Sequence, residues 1–209
     1  MLAAPLRKPE PFLFLKKFIK GGKSVASFAP SSKSLASETA RHVRADTPQT
    51  IVELGAGTGA ITVIAASRMH PESRLISVEI DADFCRILKH RCPNVEVLNC
   101  DVRDLDDKLD SLGIDQFDLL LNGLPTPSLP PAVNRAVLDV YARRGQGAYF
   151  SQLTVMPWVY KAMYVRLFAD VHFKLVPANL PPGGVYHCRE LRDDWADHLP
   201  GKKKFAKSV

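Results

Sequence analysis

No apolar run in this chain approaches the ~20 residues that a bilayer crossing needs, so a membrane-spanning helix is not expected. The N-terminus also lacks the long apolar stretch and small-residue cleavage site of a secretion signal, and a cytoplasmic location is expected. Cysteine is scarce. Cys85, Cys92, Cys100 and Cys188 form no C-x-x-C pair and have no histidine at zinc spacing, so they read as reduced, partly buried thiols, with no metal expected. The six histidines, His42, His70, His90, His172, His187 and His198, fall in no triad-like context. Internal repeats and low-complexity tracts are missing, which argues against a solenoid or a disordered chain. What is present is a 209-residue chain that is 46% apolar, enough for one large core.

The densest information lies in Ile51-Val52-Glu53-Leu54-Gly55-Ala56-Gly57-Thr58-Gly59-Ala60-Ile61-Thr62. A short buried strand runs into a glycine-rich turn, and a helix follows from about Gly59, offering its unpaired N–H groups. The spacing is G-x-G-x-G rather than the G-x-G-x-x-G of dinucleotide folds. With Glu53 just before the loop, it resembles the first motif of class I S-adenosylmethionine (SAM) methyltransferases. Three further runs follow the same logic. Arg74 to Glu79 ends in an acid twenty residues beyond Gly59, placed to accept two ribose hydroxyls. Val95 to Asp101 ends in another acid. Phe117 to Asn122 leads into Gly123-Leu124-Pro125.

Strands are predicted near 51–54, 74–79, 95–99, 117–122, 146–153, 171–177 and 184–190. Helical patterns cover Ser34 to Arg44, Gly59 to Met69, Ala82 to Arg91, Asp104 to Leu112, Pro131 to Arg143 and Val159 to Phe168. The alternation predicts an α/β, Rossmann-like fold: a seven-stranded, mostly parallel sheet covered by helices on both faces, with the last strand inserted antiparallel. Ligands of such folds bind outside the carboxyl ends of the strands.

Charge is the second informative feature. The chain carries a net charge of +6, yet residues 1–24 hold six cations against Glu10 alone, and Lys202, Lys203, Lys204 and Lys207 add four more at the other end. The body between them is acidic. Three regions are therefore expected: a basic amphipathic segment over 1–24, a catalytic domain over 25–192 and a basic tail over 193–209. In the first segment the lysines interleave with Phe12, Leu13, Phe14, Leu15, Phe18 and Ile19, which suits an anionic membrane surface. The same segment also fits a cap helix that buries its phenylalanines, or a basic arm for RNA.

The stretches Phe28-Ala29-Pro30-Ser31-Ser32-Lys33-Ser34-Leu35-Ala36, Glu53 to Gly59, Val78-Glu79, Phe84-Cys85, Gly123-Leu124-Pro125, Leu129-Pro130 and Asn179-Leu180-Pro181-Pro182-Gly183-Gly184-Val185-Tyr186 resemble those of bacterial phospholipid N-methyltransferases. The likeness covers roughly residues 12–190. It extends to ornithine-lipid methyltransferases and, more distantly, to ribosomal RNA adenine dimethylases. A monomer is expected, and the likeness implies an enzyme, peripheral on the inner face of the cytoplasmic membrane, that methylates the amine of phosphatidylethanolamine in up to three rounds towards phosphatidylcholine. Ornithine lipid is the second substrate expected, and an RNA or small-molecule acceptor the third.

By the same likeness SAM is the cofactor, held by Phe28, Pro30, Ser31, Glu53, Gly55, Ala56, Gly57, Gly59, Glu79, Ile80, Asp101, Val102 and Asn122. Asp101 would sit at the adenine edge with Val102 beside it. Adenine-N6 methyltransferases follow this asparagine with prolines and an aromatic ring that stacks on the flipped base. Asn122-Gly123-Leu124-Pro125-Thr126-Pro127 has no such ring, so a nucleic-acid substrate is not expected. A primary ammonium has a pKa near ~10 and must lose a proton before it attacks the methyl group. The carbonyls of Asn122 and Leu124 and the Asn122 amide oxygen are expected to receive the amine, with water, Asp101 or another acid taking the proton. Tyr186 is the candidate headgroup contact, through its hydroxyl or a cation–π interaction.

Overall fold

The computed structural model describes residues 31–125, 129–155, 157–179 and 182–199. The 1–24 segment, Phe28, Pro30, the Leu180-Pro181 pair and the lysine tail lie outside the described residues. Ser31 opens the first helix, but its side chain is likewise outside them.

In chain order the elements are α1 (Ser31–Thr39), β1 (Thr50–Leu54), α2 (Ala60–Arg68), β2 (Arg74–Glu79), α3 (Ala82–Arg91), β3 (Glu96–Asn99), a 3-10 turn (Val102–Asp104), α4 (Leu105–Ser111), β4 (Leu119–Asn122), α5 (Pro131–Arg144), β5 (Tyr149–Thr154), α6 (Pro157–Leu167), β6 (Phe168–Val176), β7 (Gly183–Leu191) and a second 3-10 turn (Trp195–His198). The strands form one sheet in the order β3-β2-β1-β4-β5-β7-β6. β1 to β5 run parallel, while β7 enters antiparallel between β5 and β6. This is the expected doubly wound sheet with its last strand inserted as a hairpin.

Local chemistry explains the boundaries. Asp81 caps α3 by accepting from the Asp83 and Phe84 amides, and Lys89, His90 and Arg91 sit at the negative end of the same helix. Pro131 occupies the first turn of α5, where its missing N–H costs nothing, and Gly145 follows its last residue. α1 ends five residues earlier than its apolar pattern suggested. The Thr39 hydroxyl donates back to the Leu35 carbonyl at 2.8 Å, and the chain tightens into a turn that still buries Ala40 and Val43. β6 begins at Phe168 rather than 171, directly after α6, because Phe168 packs into the aromatic core against Tyr141 and Phe150.

Alternation along the strands produces two cores. Val52, Leu54, Ile76, Val78, Leu120 and Phe150 face α4, α5 and α6 on one side. Ile51, Leu75, Leu119 and Leu121 face α1, α2 and α3 on the other. Register aligns one row across the first face: Leu54 on β1, Asn122 on β4, Gln152 on β5, Tyr186 on β7 and Phe173 on β6. Two buried amides thus stand side by side in an otherwise apolar sheet.

Candidate active site

The glycine turn is shaped by positive backbone angles at Gly55 (φ 70), Gly57 (φ 55) and Gly59 (φ 90), which only glycine adopts without strain. A Cβ on Gly55 would lie 2.6 Å from Leu124 Cδ2, so the turn and the segment after β4 need that contact space. At Gly57 a Cβ would meet nothing within 4 Å, which leaves the backbone there open to a ligand. The Gly55 and Ala56 amides both donate to the Val78 carbonyl, tying the turn to β2.

Glu79 closes the opposite side. Its Oε2 accepts the Gly57 amide at 2.8 Å and its Oε1 accepts the Asp81 amide at 2.9 Å. Asn99 Nδ2 donates to the carbonyls of Glu79 and Ile80, both at 3.0 Å, and so fixes the end of β2. Around these groups lies an open cleft lined by Leu54, Gly55, Val78, Glu79, Ile80, Cys100, Asp101, Val102, Leu124, Leu129 and Val133. Most of its wall is apolar, with two carboxylates on the rim.

Those features fit a nucleoside-bearing cofactor. A carboxylate whose two oxygens are both held by backbone amides suits a vicinal diol, the apolar walls suit a flat base, and the bare Gly57 backbone permits close approach. Glu53 is fully buried behind the turn, where Oε2 accepts from Thr62 Oγ1 at 2.6 Å and Ser77 Oγ at 2.7 Å. Burial pushes its carboxyl above the usual range, although the Thr62 and Ser77 hydrogen bonds oppose this. Its Oε1 is a buried acceptor without a donor, which fits a site that a cationic ligand group completes.

Asp101 lines the cleft, yet its carboxylate is gripped by Arg103, with Oδ1 to Nε at 2.9 Å and Oδ2 to Nη2 at 2.7 Å. Burial raises its pKa, but the Arg103 side chain and amide outweigh that and hold the carboxyl below the ordinary range. It is a weak proton acceptor in this state. The neighbouring Cys100 thiol is pushed up to about 11, first by burial and then by Asp104, and stays protonated at neutral pH.

At the end of β4 the expected acceptor atoms are already organised. The Leu124 amide donates to Asn122 Oδ1 at 3.1 Å, and because a backbone N–H only donates, this sets the orientation of the Asn122 amide. Asn122 Nδ2 then donates to Gln152 Oε1 at 2.7 Å. Gln152 Nε2 in turn donates to the carbonyls of Leu124 at 3.0 Å and Asn122 at 3.3 Å. Gln152 was missed by sequence reasoning. Its signal was a polar residue inside the buried strand YFSQLT, and only the register with Asn122 gives that polarity a meaning.

Tyr186 lies away from solvent. It is 1% exposed, its ring stacks on Tyr164 at 4.8 Å, and Phe173 packs against it at 4.8 Å. Burial, followed by the effect of Cys188, raises its phenol, so it stays protonated and neutral. Direct contact with a headgroup would require these rings to separate, whereas the alternative part of a packed strand aromatic needs no movement.

Sequence comparison places this geometry. A family model described as a methyltransferase domain matches residues 51–143, from the first strand of the glycine turn into α5. The chain belongs to the class I SAM-dependent methyltransferases, and SAM is its cofactor and supplies the electrophilic methyl group. It is 44% identical over 188 residues to an ornithine lipid N-methyltransferase of Singulisphaera acidiphila, covering 88% of this chain and 98% of that protein.

Solved structures share the fold. A Burkholderia thailandensis 1,6-didemethyltoxoflavin-N1-methyltransferase, with S-adenosylhomocysteine bound, superposes with a TM-score of 0.62 at 18% identity, over 91% of this chain and 94% of that one. A Haemonchus contortus phosphoethanolamine N-methyltransferase gives 0.63 at 14% identity, over 95% of this chain and 53% of that one. Among the described residues no helix is long and apolar enough to cross a membrane.

Proposed function

We propose that this enzyme N-methylates the amine of a lipid headgroup, with ornithine lipid ahead of phosphatidylethanolamine as acceptor. The observation that carries the reading is the 44% identity to an ornithine lipid N-methyltransferase along nearly the whole of both chains. This reverses the order of substrates expected from the motifs, which are common to both lipid classes. Both headgroups present a primary amine next to an anionic group, so the glycine turn and the Leu-Pro segment do not discriminate between them. The apolar cleft wall, which includes Leu54, Leu124, Leu129 and Val133, supports an amphiphilic acceptor.

The chemistry asked of the protein is positioning and proton removal. Gln152 aims the Asn122 and Leu124 carbonyls, which in this reading orient the amine lone pair along the line of methyl transfer. Water at the cleft mouth takes the proton, because Asp101 is committed to Arg103. Expression in a host that makes both phosphatidylethanolamine and ornithine lipid, followed by lipid mass spectrometry, tests the proposal. Gains of one to three methylene masses on the ornithine headgroup support it. Gains confined to the ethanolamine headgroup restore the first order, and a blank profile from folded, SAM-binding protein moves the acceptor to RNA or a small molecule.

A further inference from the structure

Among the described residues, five large hydrophobic side chains are exposed: Ile87, Trp158, Val165, Phe173 and Leu175. Four of them lie on α6 and β6, which pack together. Trp158 is the extreme case at 71% exposure, and its ring meets Phe173 edge-on at 6.3 Å. Phe173 and Leu175 share one side of the edge strand β6, while Trp158, Ala162 and Val165 follow one stripe of α6 at i, i+4 and i+7. Gly184 of β7 is required beneath them, since a Cβ there would collide with the Phe173 ring.

The charges on α6 have one sign. α6 carries Lys161 and Arg166 and no carboxylate, while Lys174, between Phe173 and Leu175 in the chain, alternates to the other side of β6. The nearest acid along β6, Asp170, is paired with His172 at 3.2 Å. A second copy of the chain docked here by a two-fold would set these cations against their own images, which disfavours a self-interface. An anionic lipid surface complements them, at roughly 1 kcal/mol per cation near the surface.

Position relates the patch to the cleft. β6 runs parallel to β5, so Phe173 and Leu175 lie towards the same sheet edge as the carboxyl ends of β1, β2 and β4, where the cleft opens. Three strand spacings of ~4.8 Å separate Asn122 from Phe173 along their shared row, about 14 Å. Interfacial apolar side chains enter ~5–10 Å into the headgroup and acyl boundary. Insertion of this edge therefore brings the Asn122 end of the row to headgroup depth. Resting on the lipid-acceptor reading, we propose that the Trp158, Phe173 and Leu175 edge, flanked by Lys161 and Arg166, is a membrane-docking surface that enters an anionic lipid monolayer and sets the height of the cleft.

The test uses the full chain with Trp195→Phe, which leaves Trp158 as the single tryptophan of the two in the sequence. Vesicles of phosphatidylglycerol and phosphatidylcholine with brominated acyl chains should shift Trp158 emission to the blue and quench it. In the wild-type background Trp158→Ser, or Lys161→Glu with Arg166→Glu, should weaken vesicle binding ~10-fold or more while SAM affinity is retained. Water-like Trp158 emission in sedimented, vesicle-bound protein would overturn the surface, as would a blue shift that depends on protein concentration without vesicles. Methyl transfer to a short-chain ornithine lipid below its micelle concentration separates the two readings. Trp158→Ser should leave that reaction unchanged and lose activity on vesicles. If Trp158 inserts but no lipid amine is methylated in either form, the docking surface stands and the acceptor assignment falls.

Discussion

Replacing Gln152 with leucine tests the organisation of the proposed reaction centre more sharply than any change to the glycine turn. The side chain is buried and exchanges hydrogen bonds with Asn122 at 2.7 and 3.3 Å and with Leu124 at 3.0 Å. Leucine preserves the approximate volume and removes every one of these bonds. Each lost partner of a buried polar group costs about 1–3 kcal/mol, and because three losses within one network do not add, a net of about 2–4 kcal/mol is expected. For a chain of this length that corresponds to a fall in Tm of about 5–12 °C. The catalytic effect should be larger, since a displacement of ~1 Å at a reacting centre costs up to ~100-fold in turnover.

Calorimetric SAM titration and single-turnover methyl transfer on lipid micelles read the two effects separately. SAM affinity should change by less than ~5-fold, because Gly57, Glu79 and Asp81 keep their mutual hydrogen bonds, while kcat falls by ~100-fold. Gln152→Glu supplies the control: it keeps an acceptor for Asn122 Nδ2, removes the donor to the Leu124 carbonyl, and should recover Tm more than turnover. Full turnover in Gln152→Leu would refute the positioning role. A lower Tm with unchanged turnover per folded molecule would reduce Gln152 to a structural residue.

Glu79→Ala removes the acceptor for the Gly57 and Asp81 amides together with the proposed ribose contact, so SAM affinity should fall by ~10–100-fold in titration calorimetry, and unchanged affinity would sink that assignment. Deleting residues 1–24 should lower vesicle co-sedimentation with SAM affinity unchanged, whereas loss of folding would favour a cap helix. Stability should also depend on mild acid. Burial, then His187, lowers His42 to about 4, and burial lowers His187 despite Glu38 at 3.2 Å. Both imidazoles are neutral when folded and take up protons once unfolded, so their contribution is whole above pH ~6.5 and is lost as pH falls towards ~4. Tm should decline across that window, His187→Asn should flatten the decline, and a level Tm would contradict the assignment.

The alternation of apolar strands with helices was readable in the residues because each rule is local. Glycines at 55, 57 and 59, an acid closing β2 and an asparagine closing β4 name their positions by spacing alone. Element ends were less legible. α1 stopped early because a Thr39 back-bond tightened the turn, and β6 began early because Phe168 found an aromatic pocket built from α5 and β5. Tyr186 shows the same limit for function: its neighbours in sequence suggested a headgroup contact, and its neighbours in space are Tyr164 and Phe173.

By itself, then, the sequence determined the methyl donor, because the cofactor cradle is made of backbone conformations and strand-end acids encoded within one continuous half of the chain. Tertiary structure decided how the proposed acceptor end is built. The Asn122 and Gln152 amides lie thirty residues apart and meet only through the pairing of β4 with β5, and the Trp158 edge becomes a surface only when α6 lies against β6. Hydrogen bonds and apolar contacts between distant segments depend on strand register and helix packing, which no local spacing rule encodes.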